Sequence, residues 1–348
     1  SPDFLSMADA LATDGWCVSA DLMGPPQTRV LAAECAAMHD AKLLLPARTG
    51  AARSASRMRG DSTHWFAAGA MSAAQQMFTD GTATLLTGIP IALKSIIAKK
   101  GQVTNASSKI LEHYKATYSA TAVERVEAEG GIFLGSVNAD EFAMGASTEN
   151  SAFGVTKNPA DTARVAGGSS GGSIAAVAAD MALVALGTDT GGSIREPASF
   201  CGVVGFKSTY GAVSRYGSYP MGSSFDQICP TAKSVEDAEI LERAMRGTDA
   251  YDMTCVSDSA WEKDVTKETY TIAVPKALVA GSSPEVQAVF ASFVEQLKSA
   301  GHSVEEVEIP ILEVVLAIYY ILIPAEVSSN TARYDGMRYG TKVEGKDL

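Results

Sequence analysis

Apolar and polar positions change rhythm several times along the chain, and each change marks an element. The first 80 residues are alanine-rich with helical spacing, broken by Gly24-Pro25-Pro26 and by the polar stretch PARTGAARSASRMRGDS at 46–62. GIPIALKSII, from Gly88, is a short apolar run interrupted by a single charge, Lys94. TAVERVEAEG places Val123 and Val126 on one helical face and leads into a strand-like GIFLG at 131–135. MALVALG, from Met181, is again strand-like, and an alanine-rich helix is expected just before it, at about 174–180.

The later pattern is regular. Ser234 precedes VEDAEILERAMR with Asp237 three positions on, a variant of a helix-start box. YTIAVP at 270–275 reads as a strand. Ser283 and Pro284 open a helix that carries Val286, Val289, Phe290, Phe293 and Leu297 along one face until Gly301 stops it. SVEEVEIP at 303–310 then alternates as a half-buried strand. Strand, helix, strand is the α/β rhythm.

Composition narrows the function classes. The 348 residues are 46% hydrophobic and 20% charged, ordinary values for a globular chain. Twenty-eight Lys and Arg against 40 Asp and Glu give a net charge of −12, which argues against nonspecific nucleic-acid binding by bulk charge. Cys17, Cys35, Cys201, Cys229 and Cys255 lack CxxC spacing and suit reduced thiols in an intracellular compartment better than a disulfide framework or a zinc site. VVLAIYYILIPA at 314–325 is shorter than the roughly 18 apolar residues a membrane helix needs. The first residues carry no basic segment followed by an apolar one, so no secretory signal is visible.

The chemistry concentrates between 163 and 202, where two glycine-framed serine clusters bracket the MALVALG run. The first is Gly167-Gly168-Ser169-Ser170-Gly171-Gly172-Ser173; the second is Thr188-Asp189-Thr190-Gly191-Gly192-Ser193. Such turns let a ligand approach backbone amides closely. Neither cluster is followed by lysine, so a phosphate-binding P-loop does not fit, and Ser193 does not match the GxSxG elbow. A serine nucleophile needs a base. His39, His64, His113 and His302 stand away from the glycine turns in sequence and are better assigned to surface or packing. Lys94 is the alternative base, provided burial keeps it neutral. Its position equally suits a solvated strand end.

At this point the motifs become specific. LTGIPIALK, LGSVNADEFAMGASTENSAFGVTKNP, RVAGGSSGGSIAAVAA, LGTDTGGSIREPASFCGVVGFKSTYGAVSRYG and SSFDQI resemble the amidase signature family over about residues 85–340. YYILIPAEVSSNTARYDGMRYG is similar to the A subunits of tRNA-dependent amidotransferases within it. The resemblance implies an α/β fold with a mixed central sheet covered by helices on both faces. It implies a catalytic trio of Lys94, Ser169 after a cis peptide bond, and the nucleophile Ser193, with an oxyanion held by the amides of Thr190, Gly191 and Gly192. Tyr319 or Tyr320 corresponds to a substrate-side tyrosine.

Such a subunit hydrolyses glutamine and passes ammonia to a B subunit, braced by a small C subunit. The resemblance puts ATP, Mg2+ and most tRNA contact on the B subunit, and implies no cofactor, metal or membrane for this chain. A stand-alone amidase and a catalytically incompetent scaffold are the alternatives. The compartment implied is a bacterial cytoplasm, mitochondrial matrix or plastid stroma.

Three positions depart from the family pattern: Ser95 after the lysine, Glu196 after SIR, and Lys207-Ser208. The resemblance also implies a domain spanning 81–348 that lacks the family's C-terminal part, which carries the groups gripping the substrate's α-carboxylate and α-amine. Residues 1–80 instead resemble, weakly, the opening of a 2-oxoglutarate oxygenase. No HxD…H iron triad follows, so no oxygenase activity is implied.

Overall fold

The computed structural model describes residues 72–257 and 268–342, so the N-terminal segment lies largely outside the described residues. Two compact units divide the chain: Ser1–Asp258 with Glu326–Leu348, and Ser259–Ala325.

The first unit is built on a five-stranded mixed sheet. Its strands are β1 (Pro90–Lys94), β2 (Ile132–Val137), β3 (Val184–Asp189), β4 (Val204–Gly205) and β5 (Gln227–Ala232), in the order β2-β1-β3-β5-β4. β1 runs parallel to β2 and β3, whereas β5 is antiparallel to β3 and β4. Ile91, Ala92, Leu93 and Lys94 are all buried, so β1 does not alternate. A central strand covered on both sides has that pattern.

Helices α1 (Thr121–Ala128), α2 (Gly171–Ala178), α3 (Arg195–Cys201) and α4 (Val235–Met245) complete this unit. Ala122, Val123 and Val126 form the buried face of α1, as the spacing predicts. Arg125 fastens α1 to the end of α4 through the carbonyls of Met245 and Thr248, at 2.9 and 2.6 Å. Ser234 caps α4 by accepting from the Asp237 amide. Beneath the serine turns, Ala166, Ile174, Ile194, Ala198, Cys201 and Cys229 pack into one apolar cluster.

α2 begins three residues before the expected start, inside the glycine–serine cluster. Glycine's weak helix propensity hides this start in the sequence. Space explains the residue type: a Cβ on Gly172 would lie 2.3 Å from the Asn138 carbonyl oxygen, just past β2.

The second unit pairs β6 (Thr271–Pro275) in parallel with β7 (Ser303–Val307), joined through α5 (Lys276–Ala280) and α6 (Pro284–Ser299). Ser283 caps α6 through the Val286 amide, and Val304 and Val307 of β7 are partly covered. One expectation is corrected here. The apolar face of α6 is not packed: none of its residues is buried, and Val289 is 71% exposed. Periodicity records a face suited to burial, and none of the described residues buries this one. Helix α7 (Val315–Thr331) contributes its first turns to this unit. Its last turns belong to the first unit, where Asn330 donates to the Met221 carbonyl at 3.0 Å and Glu326 accepts from the Ser224 amide at 2.9 Å.

Gly172→Ala should cost about 3 kcal/mol in urea unfolding, because the neighbour in the way is backbone rather than a movable side chain.

Candidate active site

Lys94 ends β1 with no exposed surface. Its Nζ lies 2.8 Å from Ser169 Oγ, 2.8 Å from Ser170 Oγ and 2.7 Å from Thr188 Oγ1. Three hydroxyls therefore meet the three donor positions of an ammonium group. A solvated strand end is excluded. Burial lowers the Lys94 pKa from 10.5 to about 7, against the opposing pull of Asp140, Asp226 and Asp189. Near neutral pH this amine can thus both take and return a proton.

The hydroxyls around Nζ are not equivalent. Ser170 Oγ donates to the Thr188 carbonyl at 3.0 Å and accepts from the Thr188 amide at 3.2 Å, so its proton is committed. Ser169 Oγ has no such second acceptor among the described residues, leaving its proton available to a neutral amine. Ser169 follows a cis peptide bond from Gly168. Its carbonyl accepts from the Asp140 amide at 3.2 Å, while the Gly167 carbonyl accepts from Thr148 Oγ1 at 2.8 Å.

The second turn is organised by Asp189, the buried last residue of β3. Its carboxylate accepts from the Gly192 amide at 3.0 Å, the Ile194 amide at 3.2 Å, and the Arg195 guanidinium at 2.9 and 3.0 Å. Burial pushes the Asp189 pKa up, but Arg195 and the amides outweigh it and hold the carboxyl below its usual range. Of the three amides that the resemblance implies for an oxyanion, Thr190, Gly191 and Gly192, that of Gly192 donates to Asp189 in this structure. Thr190 Oγ1 donates to Asp226 Oδ1 at 2.6 Å.

Ser193 is half-buried and its hydroxyl makes no hydrogen bond among the described residues. The two serine turns are joined by backbone, the Ser170 amide donating to the Ser193 carbonyl at 3.1 Å. The structure therefore brings Lys94 and Ser169 into direct contact and sets the Ser193 turn beside them, with Ser193 Oγ not yet bonded to Ser169. Tyr319 and Tyr320 lie on α7 in the second unit, stacked edge to face on each other, with Tyr320 67% exposed.

Several residues around the site went unread in the sequence. Ser170 and Thr188 lie in the quoted motifs, and a count of donors on a buried lysine would have raised them. Asp140 and Asp226 follow no spacing rule. Asp226 is held by Thr190 and by the amides of Met221 and Gly222, and burial raises its pKa. The departure at Ser95 is locally satisfied, since its hydroxyl pairs with that of Ser107 at 2.9 Å. Among the described residues no cluster of His, Cys, Asp or Glu could hold a metal ion. His113 is exposed and His302 accepts from the Tyr270 amide in the second unit; His39 and His64 lie outside the described residues.

A family model described as Amidase matches residues 53–348. The chain belongs to the amidase family. Among amidase-family relatives, the glutamyl-tRNA(Gln) amidotransferase A subunit of Roseiflexus castenholzii is 49% identical over 271 residues, covering 76% of this chain and 55% of that protein. Its counterpart in Halothermothrix orenii is 51% identical over 274 residues, covering 75% and 56%. Among solved structures, the glutamyl-tRNA(Gln) amidotransferase A subunit from Thermotoga maritima superposes with a TM-score of 0.66 at 44% identity, covering 72% of this chain and 56% of that one. The peptide amidase of Stenotrophomonas maltophilia gives 0.70 at 27% identity, covering 89% and 66%. This amidase-family chain spans a little over half the length of the curated relatives it matches.

Lys94 should leave a signature in stability. Between its folded and unfolded pKa values the unfolded chain binds the extra proton, so stability rises with pH there. Relative to Lys94→Met, the parent should gain up to about 1.4 kcal/mol per pH unit between about pH 7.5 and 10 in urea unfolding, with no differential slope below about pH 6.

Proposed function

We propose that this chain is the glutamine-hydrolysing subunit of a tRNA-dependent amidotransferase. The observation that carries the reading is the buried Lys94 amine, poised near neutrality and hydrogen-bonded to Ser169 beside the Ser193 turn. The names of the matched relatives supply the substrate class. In this reading neutral Lys94 takes the Ser169 proton as Ser169 takes that of Ser193, and Ser193 Oγ attacks the side-chain amide carbon of glutamine. The carbonyl electron pair moves onto oxygen, where the Thr190 and Gly191 amides receive it. Collapse restores the carbonyl and breaks the carbon–nitrogen bond, the leaving nitrogen taking back the proton from Lys94 through Ser169. Water, deprotonated by the same relay, hydrolyses the acyl-enzyme to glutamate and frees Ser193. The relay requires the Ser193 hydroxyl to meet Ser169 in the substrate complex, a contact that commonly tightens only when substrate binds.

Partners follow from the same reading. Ammonia passes to a B subunit that holds ATP, Mg2+ and most of the tRNA, with a C subunit bracing the pair. A net charge of −12 suits a chain that leaves tRNA to its partner. No helix among the described residues is long and apolar enough to cross a membrane, and we place the assembly in a reducing intracellular compartment. A stand-alone amidase is the second reading, favoured by the greater share of this chain that superposes on the peptide amidase.

Glutamate release by the purified chain with B and C subunits tests the proposal. We expect partner-dependent release, lowered at least about 10³-fold by Ser193→Ala. Release independent of partners and Glu-tRNA(Gln) would favour the stand-alone amidase, and none from a folded sample would leave a scaffold.

The pH profile gives a second check. Activity needs neutral Lys94, so its acid limb should fall near pH 7. Asp226 favours the ammonium form, so Asp226→Asn should move that limb to lower pH.

A further inference from the structure

Glu196, one of the departures from the family pattern, sits three residues after Ser193 in the first turn of α3. Its backbone belongs to the nucleophile turn, because the Glu196 amide donates to the Gly192 carbonyl at 2.8 Å. Its side chain reaches the other turn, where Oε2 accepts from the Gly168 amide at 2.9 Å. Gly168 is the residue joined to Ser169 by the cis bond. Resting on the amide-hydrolase reading above, we propose that Glu196 is a positioning residue that holds the Ser169 turn in register with the Ser193 turn through one carboxylate oxygen.

Three features support the tether. First, among the described residues Ser170 is bonded to the second cluster by its amide, on the Ser193 carbonyl, and by its hydroxyl, on Thr188, whereas the Gly168–Glu196 bond is the one direct hydrogen bond from 167–168 to 188–196. The Ser170 bonds fix the backbone on the far side of Ser169, the Gly168 bond on its near side, so Ser169 is pinned from both ends. Second, the turns are in van der Waals contact at this point. A Cβ on Gly167 would stand 2.7 Å from Glu196 Oε2 and 2.7 Å from Pro197 Cα.

Third, Gly168 is closed in on its other side by Asp140, whose Oδ2 would be 2.1 Å from a Cβ there. Asp140 accepts from the Thr148 and Asn150 amides, while the Gly168 amide donates to Glu196. The Glu196 charge itself is disfavoured: burial and nearby Asp140 raise its pKa, while the Gly168 amide opposes them, and Cys201 is the other titratable group beside it. An acceptor oxygen is what the geometry uses, and a neutral one suffices. Among the described residues Glu196 makes no hydrogen bond to Lys94 or to the three hydroxyls around its amine.

The test compares Glu196→Gln, which keeps an acceptor and loses the charge, with Glu196→Met, which keeps length and loses the acceptor. Two readouts are taken on folded chain, checked by thermal melts: glutamate release with B and C subunits, and the rate at which a fluorophosphonate phosphonylates Ser193. In the latter, Ser193 Oγ displaces fluoride from phosphorus and its proton goes to the Ser169–Lys94 relay, with no glutamine required. We expect Glu196→Gln to stay within about threefold of the parent. Glu196→Met should lose about 10- to 100-fold in kcat and in labelling rate, with KM and the acid limb unchanged. Equal rates for the two variants, or a loss confined to melting temperature, would overturn the tether. Labelling that follows this pattern without glutamate release would sink the glutaminase reading and leave the tether standing. A parent chain that does not label would overturn both.

Discussion

A lysine amine with no exposed surface is the constraint from which the rest of the site follows. Lys94 sits at the end of a strand buried on both sides, and an isolated charge there would be expensive. Three hydroxyls and three carboxylates at longer range keep it close to balance between its two protonation states. Each hydroxyl arrives from a different requirement of the fold. Ser169 comes from the cis turn, Ser170 from the residue capping α2, and Thr188 from the end of β3. Moving any of these elements would leave either an unsatisfied amine or one locked in the charged form.

Asp189 plays the corresponding part for the Ser193 turn. It gathers amides and a guanidinium so that the backbone from Gly192 to Arg195 has one arrangement. The turn is thus rigid before any substrate arrives, which is the condition under which fixed dipoles act on developing charge.

Much of this was legible in the sequence, for reasons that differ by residue. Val123 and Val126, or the Ser234 and Ser283 caps, are local signals that a helix needs wherever it packs, and they hold. Lys94 and the two serine clusters stood out because glycine-framed serines and a charge in an apolar run are rare combinations, whereas Ser169 and Ser193 were singled out within the clusters only by the resemblance to the amidase signature family. Asp140 and Asp226 were not found, and Glu196 was noted only as a departure from the family pattern, because their contacts exist only once distant segments meet. The start of α2 was misplaced since its first two residues, Gly171 and Gly172, are poor helix formers. The apolar face of α6 shows the reverse failure: its pattern states what the helix can bury and is silent on what does the covering.

Strand direction carries one more consequence. Because β1 and β3 run parallel, Lys94 and Thr188–Asp189 leave the sheet at the same edge. Because β5 runs against β3, the residue entering it, Asp226, arrives at that edge too. All the reacting and tuning groups therefore hang from one rim, and the connections at the opposite rim carry none of them. A substitution in those far connections therefore reaches Lys94 or Asp189 only through the length of the sheet.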